Sequence, residues 1–256
     1  VSVRVALFAT CVADQFFADA CADAVRLLRH LDVTVDVPPG QTCCGQPAYN
    51  AGRRAEAVRM MRHTLAGLEG AEYVVLPSGS CAGMIRCFYP HLAEGRERDA
   101  GARGGIGRAR DREADRARAL AARTYELSQF LVEVLGVGSL GSGLRGRRVA
   151  YHHSCHALRE LGVRDAPVAL LRGAGAEVLP WVAGEECCGF GGLFSTKLPE
   201  VSAGMADRKL DTLPEADVVT SSDGGCLLQL SGRAARRRRG PPFRHLASLL
   251  WQGVGA

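Results

Sequence analysis

Apolar positions in this chain fall into short compact runs separated by longer stretches of helical spacing, and that alternation is the first sign of its architecture. Val3 to Ala9 is an apolar run suited to a buried strand, and Cys11 follows directly at its end. Phe17, Cys21, Ala24, Val25 and Leu28 then recur at helical spacing, with Asp14 as the expected N-cap. Val33 to Val37 reads as a second strand, Pro38-Pro39-Gly40 as a turn, residues 53–68 as a helix, and Tyr73 to Leu76 as a third strand stopped by Pro77. The second half repeats the order: strand Arg148 to Tyr151, a helical stretch to Gly173, strand Glu177 to Leu179, helix Pro199 to Leu213, strand Asp217 to Thr220. Strands alternating with helices predict an α/β fold with mostly parallel sheets covered on both faces. Right-handed crossovers then place the loops after the strands along one edge.

The cysteines repeat with the strands. Cys11, Cys43, Cys44 and Cys81 in the first half match Cys155, Cys187, Cys188 and Cys226 in the second, with the same spacing from single cysteine to pair and a glycine after each pair, Gly45 and Gly189. One unit is duplicated. Residues 1–93 form the first repeat, residues 94–146 an arginine-rich insertion and linking helix, and residues 147–256 the second repeat. Within the middle segment Gly95 to Gly107 reads as a mobile insertion, a helix runs from about Arg112 to Leu135, and the Gly-rich stretch 136–146 leads on. Two similar lobes are expected, each a mostly parallel sheet flanked by helices. Their cysteines sit in loops at the carboxyl ends of the strands, facing a shared cleft.

Composition narrows the compartment and the chemistry. Of 256 residues 47% are hydrophobic, so core size is not limiting, and no apolar run approaches the length needed to span a membrane. The start reads as a strand without a charged leader, which makes a reducing cytoplasm the expected setting; there, clustered cysteines bind metal or carry redox chemistry. The net charge of +5 comes from arginine, concentrated between Glu94 and Arg123 and at Arg233 and Arg236 to Arg239. No aromatic residues are interleaved with these arginines, so a solvated helix face and a basic turn fit better than a nucleic-acid surface, with docking of an acidic partner protein left open.

Four thiolates drawn from three loops suit a metal centre. Zinc sites usually take cysteines as knuckles spaced to wrap one ion, whereas the side chains of an adjacent pair diverge and more naturally reach different metals of a polynuclear cluster. An iron–sulfur cluster therefore leads, with zinc as the alternative; Cys21 and Cys87 have no counterpart and read as buried small hydrophobes. His152, His153 and His156 crowd Cys155, where a histidine could ligate iron, carry a proton, make local hydrogen bonds or activate a thiolate. No nucleotide fingerprint, phosphate-loop lysine, serine-hydrolase or zinc-protease signature is present in the sequence, so no hydride acceptor is evident.

Laid side by side, the stretches Cys43-Cys44-Gly45-Gln46-Pro47-Ala48-Tyr49-Asn50, Pro77-Ser78-Gly79-Ser80-Cys81, Thr124-Tyr125-Glu126-Leu127, Ser154-Cys155-His156 and Cys187-Cys188-Gly189-Phe190-Gly191-Gly192 resemble the cysteine-rich CCG domain family. That family includes the B component of heterodisulfide reductase and the iron–sulfur subunits of glycolate oxidase and anaerobic glycerol-3-phosphate dehydrogenase; the chain is most similar to its lactate-utilisation A branch. The resemblance covers nearly the whole chain except the arginine-rich insertion. It implies a cytoplasmic iron–sulfur subunit that carries electrons in a three-protein system oxidising L-lactate to pyruvate. Its partners would be the other two lactate-utilisation proteins, B and C, of which B is itself an iron–sulfur protein. Four cysteines per copy suffice for an ordinary [4Fe-4S] cluster, one or two per chain on the eight repeated cysteines, whereas the five-thiolate clusters of the heterodisulfide reductase relatives would need an oxygen ligand here. The fullest form of the family motif ends C-x-x-C, and here Ser78 and Asp223 stand at its first position. Each copy is one thiolate short, so Ser78, Asp223 and His156 are candidate further ligands. A zinc-stabilised scaffold and a thiol/disulfide redox enzyme are the alternative functions.

Overall fold

Each half of the chain turns its short apolar runs into a sheet. The computed structural model describes residues 3–95, 107–238 and 240–255. In the first half β1 (Arg4–Leu7), β2 (Thr34–Asp36), β3 (Tyr73–Leu76) and β4 (Thr124–Glu126) pair in the order β2-β1-β3-β4, all parallel, with Val5 opposite both Val35 and Tyr73. In the second half β5 (Arg148–Tyr151), β6 (Glu177–Leu179), β7 (Val218–Ser221) and β8 (Phe243–His245) pair in the order β6-β5-β7-β8, also parallel, with Val149 opposite Val178 and Val218. The α/β fold of two similar lobes is as the sequence predicts.

Helices fill the crossovers. Between β1 and β2 lie α1 (Cys11–Phe16) and α2 (Ala18–His30), then α3 (Gln46–Asn50) and α4 (Arg54–Leu68) before β3. Next come α5 (Gly79–Gly83), a π-helical turn, α6 (Tyr89–Glu94) and α7 (Gly107–Ala122), with α8 (Leu127–Gln129) and a second π-helical turn after β4. In the second half α9 (Cys155–Arg159) and α10 (Asp165–Gly173) precede β6, α11 (Leu193–Lys197) and α12 (Pro199–Asp211) precede β7, α13 (Gly224–Arg236) precedes β8, and α14 (Leu246–Val254) follows it.

Alternation along the strands divides the core. Val5 and Leu7 of β1 face a core that also takes Val149 and Tyr151 of β5, while Ala6 and Phe8 face an outer core of the first lobe and Ala150 one of the second. The shared core is a layer of helices from both halves, with α2 against α14 and α8 against α10. Leu27, Leu28, Leu170, Leu171, Leu249 and Leu250 are buried there. Each such leucine contributes about 2 kcal/mol of apolar burial, so the lobes are fused through a common interior.

Three local expectations change. The single helix expected from about Arg112 to Leu135 is divided: α7 ends at Ala122, and Thr124–Glu126 is the edge strand β4 beside β3. Thr124 and Glu126 are polar residues that the fold buries fully, so the strand shows no apolar run of its own in the sequence and is defined by its pairing with β3. Thr10, whose hydroxyl accepts from Ala13 N, caps α1, and Asp14 sits inside its first turn. Cys21 and Cys87 are only partly buried. The insertion expected at Gly95–Gly107 lies, from 96 to 106, outside the described residues, as does Arg239 of the basic run. Several of the described arginines pair with acids: Arg62 with Glu113 at 2.5 Å, Arg116 with Glu69 at 2.8 Å and Arg233 with Asp207 at 2.6 Å. Among the described residues no helix is long and apolar enough to cross a membrane.

Candidate metal centre

Strand order decides where the cysteines meet. β1 and β3 are neighbours with β2 beyond β1, so the connections after them converge where the strand order reverses, the usual ligand crevice of an open parallel sheet. Cys11 follows β1, Cys43 and Cys44 follow β2, and Cys81 follows β3; Cys155, Cys187, Cys188 and Cys226 are placed the same way by β5, β6 and β7. All ten cysteines are free thiols.

Each unpaired member of a set lies in the first turn of a helix. Cys11 and Cys155 open α1 and α9, capped by Thr10 and Ser154; Cys81 and Cys226 sit one turn into α5 and α13, capped by Ser78 and Asp223. The free N–H groups and partial positive charge of a first helical turn favour a thiolate there. The adjacent pairs are held by glycine. Gly45 and Gly189 have φ of +88° and +85°, and their N–H groups point at Cys43 Sγ and Cys187 Sγ, each 3.4 Å away. A Cβ on Gly189 would lie 2.6 Å from Ser202 O, so no other residue fits unstrained.

The sulfurs of each set touch. Cys44 Sγ is 3.2 Å from Cys81 Sγ. Thiols of Cys11 and Cys44 donate to Cys43, which with the Gly45 N–H draws its pKa down to about 3 against the effect of burial. Cys155 and Cys188 act likewise on Cys187, which falls to about 2. The donors Cys11 and Cys155 are pushed up in turn by these bonds, as are Cys44 and Cys188. Each set thus has a ready first thiolate and three further sulfurs around it. That donor set fits a thiophilic metal or a cluster.

Both sets open on one cleft of about 110 Å³, lined by all eight repeated cysteines and by Ser78, Asp223 and His156. Asp223 ties the lobes together: Oδ2 accepts from Ser80 N at 2.8 Å across the cleft, and Oδ1 accepts from Gly225 N at 3.2 Å. Ser78 Oγ accepts from Cys81 N at 3.3 Å. His156 Nδ1 is 2.7 Å from Glu160 Oε1, and Nε2 lies 3.4 Å from Gln46 Nε2. Burial opposes charge on His156, but the Glu160 carboxylate outweighs it, so its pKa stands above the ordinary imidazole value. His153 packs edge-on against Tyr151.

The two sets have different surroundings. At the end of β5, His152 stands where Phe8 stands after β1, three residues before the next cysteine in each copy. His152 is fully buried, and burial depresses its pKa to about 3. Behind the second set lies Lys209, also fully buried, its ammonium hydrogen-bonded to the carbonyls of Ala183 and Glu186 and 4.4 Å from the Trp181 ring centroid. Counted along α4 and α12 from Ala57 and Ser202, which face Gly45 and Gly189, Thr64 holds the corresponding place in the first lobe. Sequence reasoning passed over Lys209, whose signal was a lysine in phase with the buried Ser202 and Ala206 of its helix.

Paired thiol sets on two fused parallel sheets define a duplicated cysteine-rich protein built around a cleft whose donors suit a metal. A cysteine-rich domain model, CCG, matches residues 5–86 and again residues 149–231. Lactate utilization protein A of Geobacillus sp. (strain WCH70) is 42% identical over 97% of this chain and 99% of the relative. The protein of that name from Geobacillus kaustophilus is 44% identical over 97% and 98%, and that from Bacillus subtilis (strain 168) 39% identical over 97% and 99%. The chain belongs to the CCG cysteine-rich family and, within it, to the lactate utilization protein A family. Among solved structures, a hypothetical protein from Helicobacter pylori shares the fold at a TM-score of 0.66 and 10% identity; the match covers 99% of this chain and about half, 49%, of that one.

Proposed function

We propose that this chain serves lactate utilisation as an electron-carrying iron–sulfur subunit of a cytoplasmic system that oxidises L-lactate to pyruvate. The observation that carries this reading is the pair of four-thiol sets opening on one cleft. Cys11, Cys43, Cys44 and Cys81 would hold one cluster and Cys155, Cys187, Cys188 and Cys226 a second, both of the [4Fe-4S] kind. When bound, such clusters accept and release single electrons. The chain's own groups prepare the site: helix first turns favour anionic sulfur, and the Gly45 and Gly189 N–H groups donate to it. The side-chain oxygens of Ser78 and Asp223 already accept backbone N–H groups, which supports ligation by four thiolates rather than with oxygen. His156, with Glu160 on Nδ1, holds a proton at the cleft wall.

Lactate oxidation releases two electrons and two protons, and the sequence carries no fingerprint of a hydride-accepting cofactor, so the first acceptor would sit on a partner. The other two lactate-utilisation proteins are the proposed partners. Full-length chain purified without oxygen should be brown, and reduction should bleach it and produce the electron paramagnetic resonance signal of a reduced cluster. A colourless chain with stoichiometric zinc would sink the reading. Zinc is the second reading, favoured by the close approach of Cys44 and Cys81 Sγ at 3.2 Å, a separation compact enough for one ion.

A further inference from the structure

A buried polar nitrogen without a partner calls for an explanation, and His152 Nε2 is one. The ring is fully buried. Its other nitrogen, Nδ1, faces the backbone carbonyl of Gly184 at 3.2 Å, a contact that requires the proton to be on Nδ1. Nε2 is then left with a bare lone pair, and it has no donor to receive. Two thiols lie close to the ring: a ring nitrogen of His152, Cys188 Sγ and Cys226 Sγ all lie within 4.8 Å of one another. A backbone carbonyl on one nitrogen, with the other nitrogen left to a metal, is how metal-ligating histidines are commonly oriented.

We propose that His152 is a nitrogen donor to the metal centre of the second set, through Nε2 beside Cys188 and Cys226. The assignment rests on the metal-loaded reading above and goes beyond it, because it makes the two centres chemically different. In the first lobe the same place is taken by Phe8, a buried side chain with no donor atom. The first set therefore offers four sulfurs, and the second offers four sulfurs and an imidazole. The imidazole is neutral, so it changes the donor set of the second centre without adding to its negative charge. The buried ammonium of Lys209 lies behind the same set, where its positive charge favours an added electron and raises that centre's potential. Electrons entering the cleft would settle on the second centre.

The test is pulsed electron paramagnetic resonance on the reduced, fully loaded chain, with ordinary and with isotope-labelled histidine. One strongly coupled histidine nitrogen is expected, kept in His156→Gln and lost in His152→Phe, a substitution that copies the first lobe's own residue. In His152→Phe the potential of one centre should shift while the other is unchanged. No strong nitrogen coupling in a parent chain that carries its full iron would overturn the assignment and leave the proposed function standing, and so would unchanged coupling in His152→Phe. The labelled parent decides the question even if that variant does not fold. A chain that takes up no iron would overturn both, and metal analysis of the same sample tells the two failures apart.

Discussion

Glu126 is fully buried, with one oxygen crowded by donors and the other without a partner. Oε2 accepts from Ser128 N at 2.8 Å, Gln129 N at 3.1 Å and the Ser128 hydroxyl, while Oε1 has no partner. Burial raises its pKa from 4.5 to about 7, so folding favours the protonated acid. The contribution of this group is fully present below the unfolded value and is lost as the pH rises through the folded one, about 3 kcal/mol over the window. Urea unfolding should show Glu126→Gln, which keeps a neutral side chain, losing less stability than the parent between those two pKa values. Equal pH slopes would assign the dependence to another group. Lys209→Met removes the donor to two buried carbonyls and should cost about 2 kcal/mol, with metal released from the second set before the first. Retention of both metals alike would contradict a role for Lys209 in holding the Ala183 to Cys188 loop. The cysteines were legible in the sequence because their spacing is written twice. Glu126 and Lys209 were not, because a charged residue in a sequence reads as solvent-facing until the fold buries it.

At the scale of elements, the four helix caps at the cleft decide how the cysteines are presented. Thr10 and Ser154 stand directly before Cys11 and Cys155, and Ser78 and Asp223 stand three residues before Cys81 and Cys226. Ser78→Ala should cost about 1 kcal/mol by loss of a cap, with metal content unchanged. Asp223→Ala should cost more, about 2 kcal/mol, because the link to Ser80 across the cleft goes as well. Loss of metal from Ser78→Ala without loss of stability would instead mark Ser78 as a ligand. Strong strands and long helices were legible from periodicity, as in the match of residues 53–68 to α4 (Arg54–Leu68). β4 and β8 were not: Thr124–Glu126 and Phe243–His245 each hold one aromatic among polar residues, and their identity is settled by pairing with β3 or β7 rather than by an apolar run.

Over the whole molecule, duplication was plain in the sequence, while the surface through which the two copies join was not. That surface is the leucine-rich layer of α2, α8, α10 and α14, and its residues lie in both halves. Because the interior is common, chemical unfolding followed by fluorescence and by circular dichroism should coincide in one transition; two separated transitions would mean that the lobes unfold independently. Gly79 marks how closely they meet, since a Cβ there would lie 2.6 Å from Ala157 Cβ. The union of the lobes is what brings eight thiols to one cleft, and the electron-carrying reading depends on both sets being loaded. Iron and acid-labile sulfide should therefore be measured in oxygen-free preparations of the parent chain, Cys44→Ser and Cys188→Ser. The account expects iron and sulfide in equal amounts in the parent and a loss of about half of each in either variant. Stoichiometric zinc without sulfide in the parent would contradict it, as would two variants that keep the full iron content.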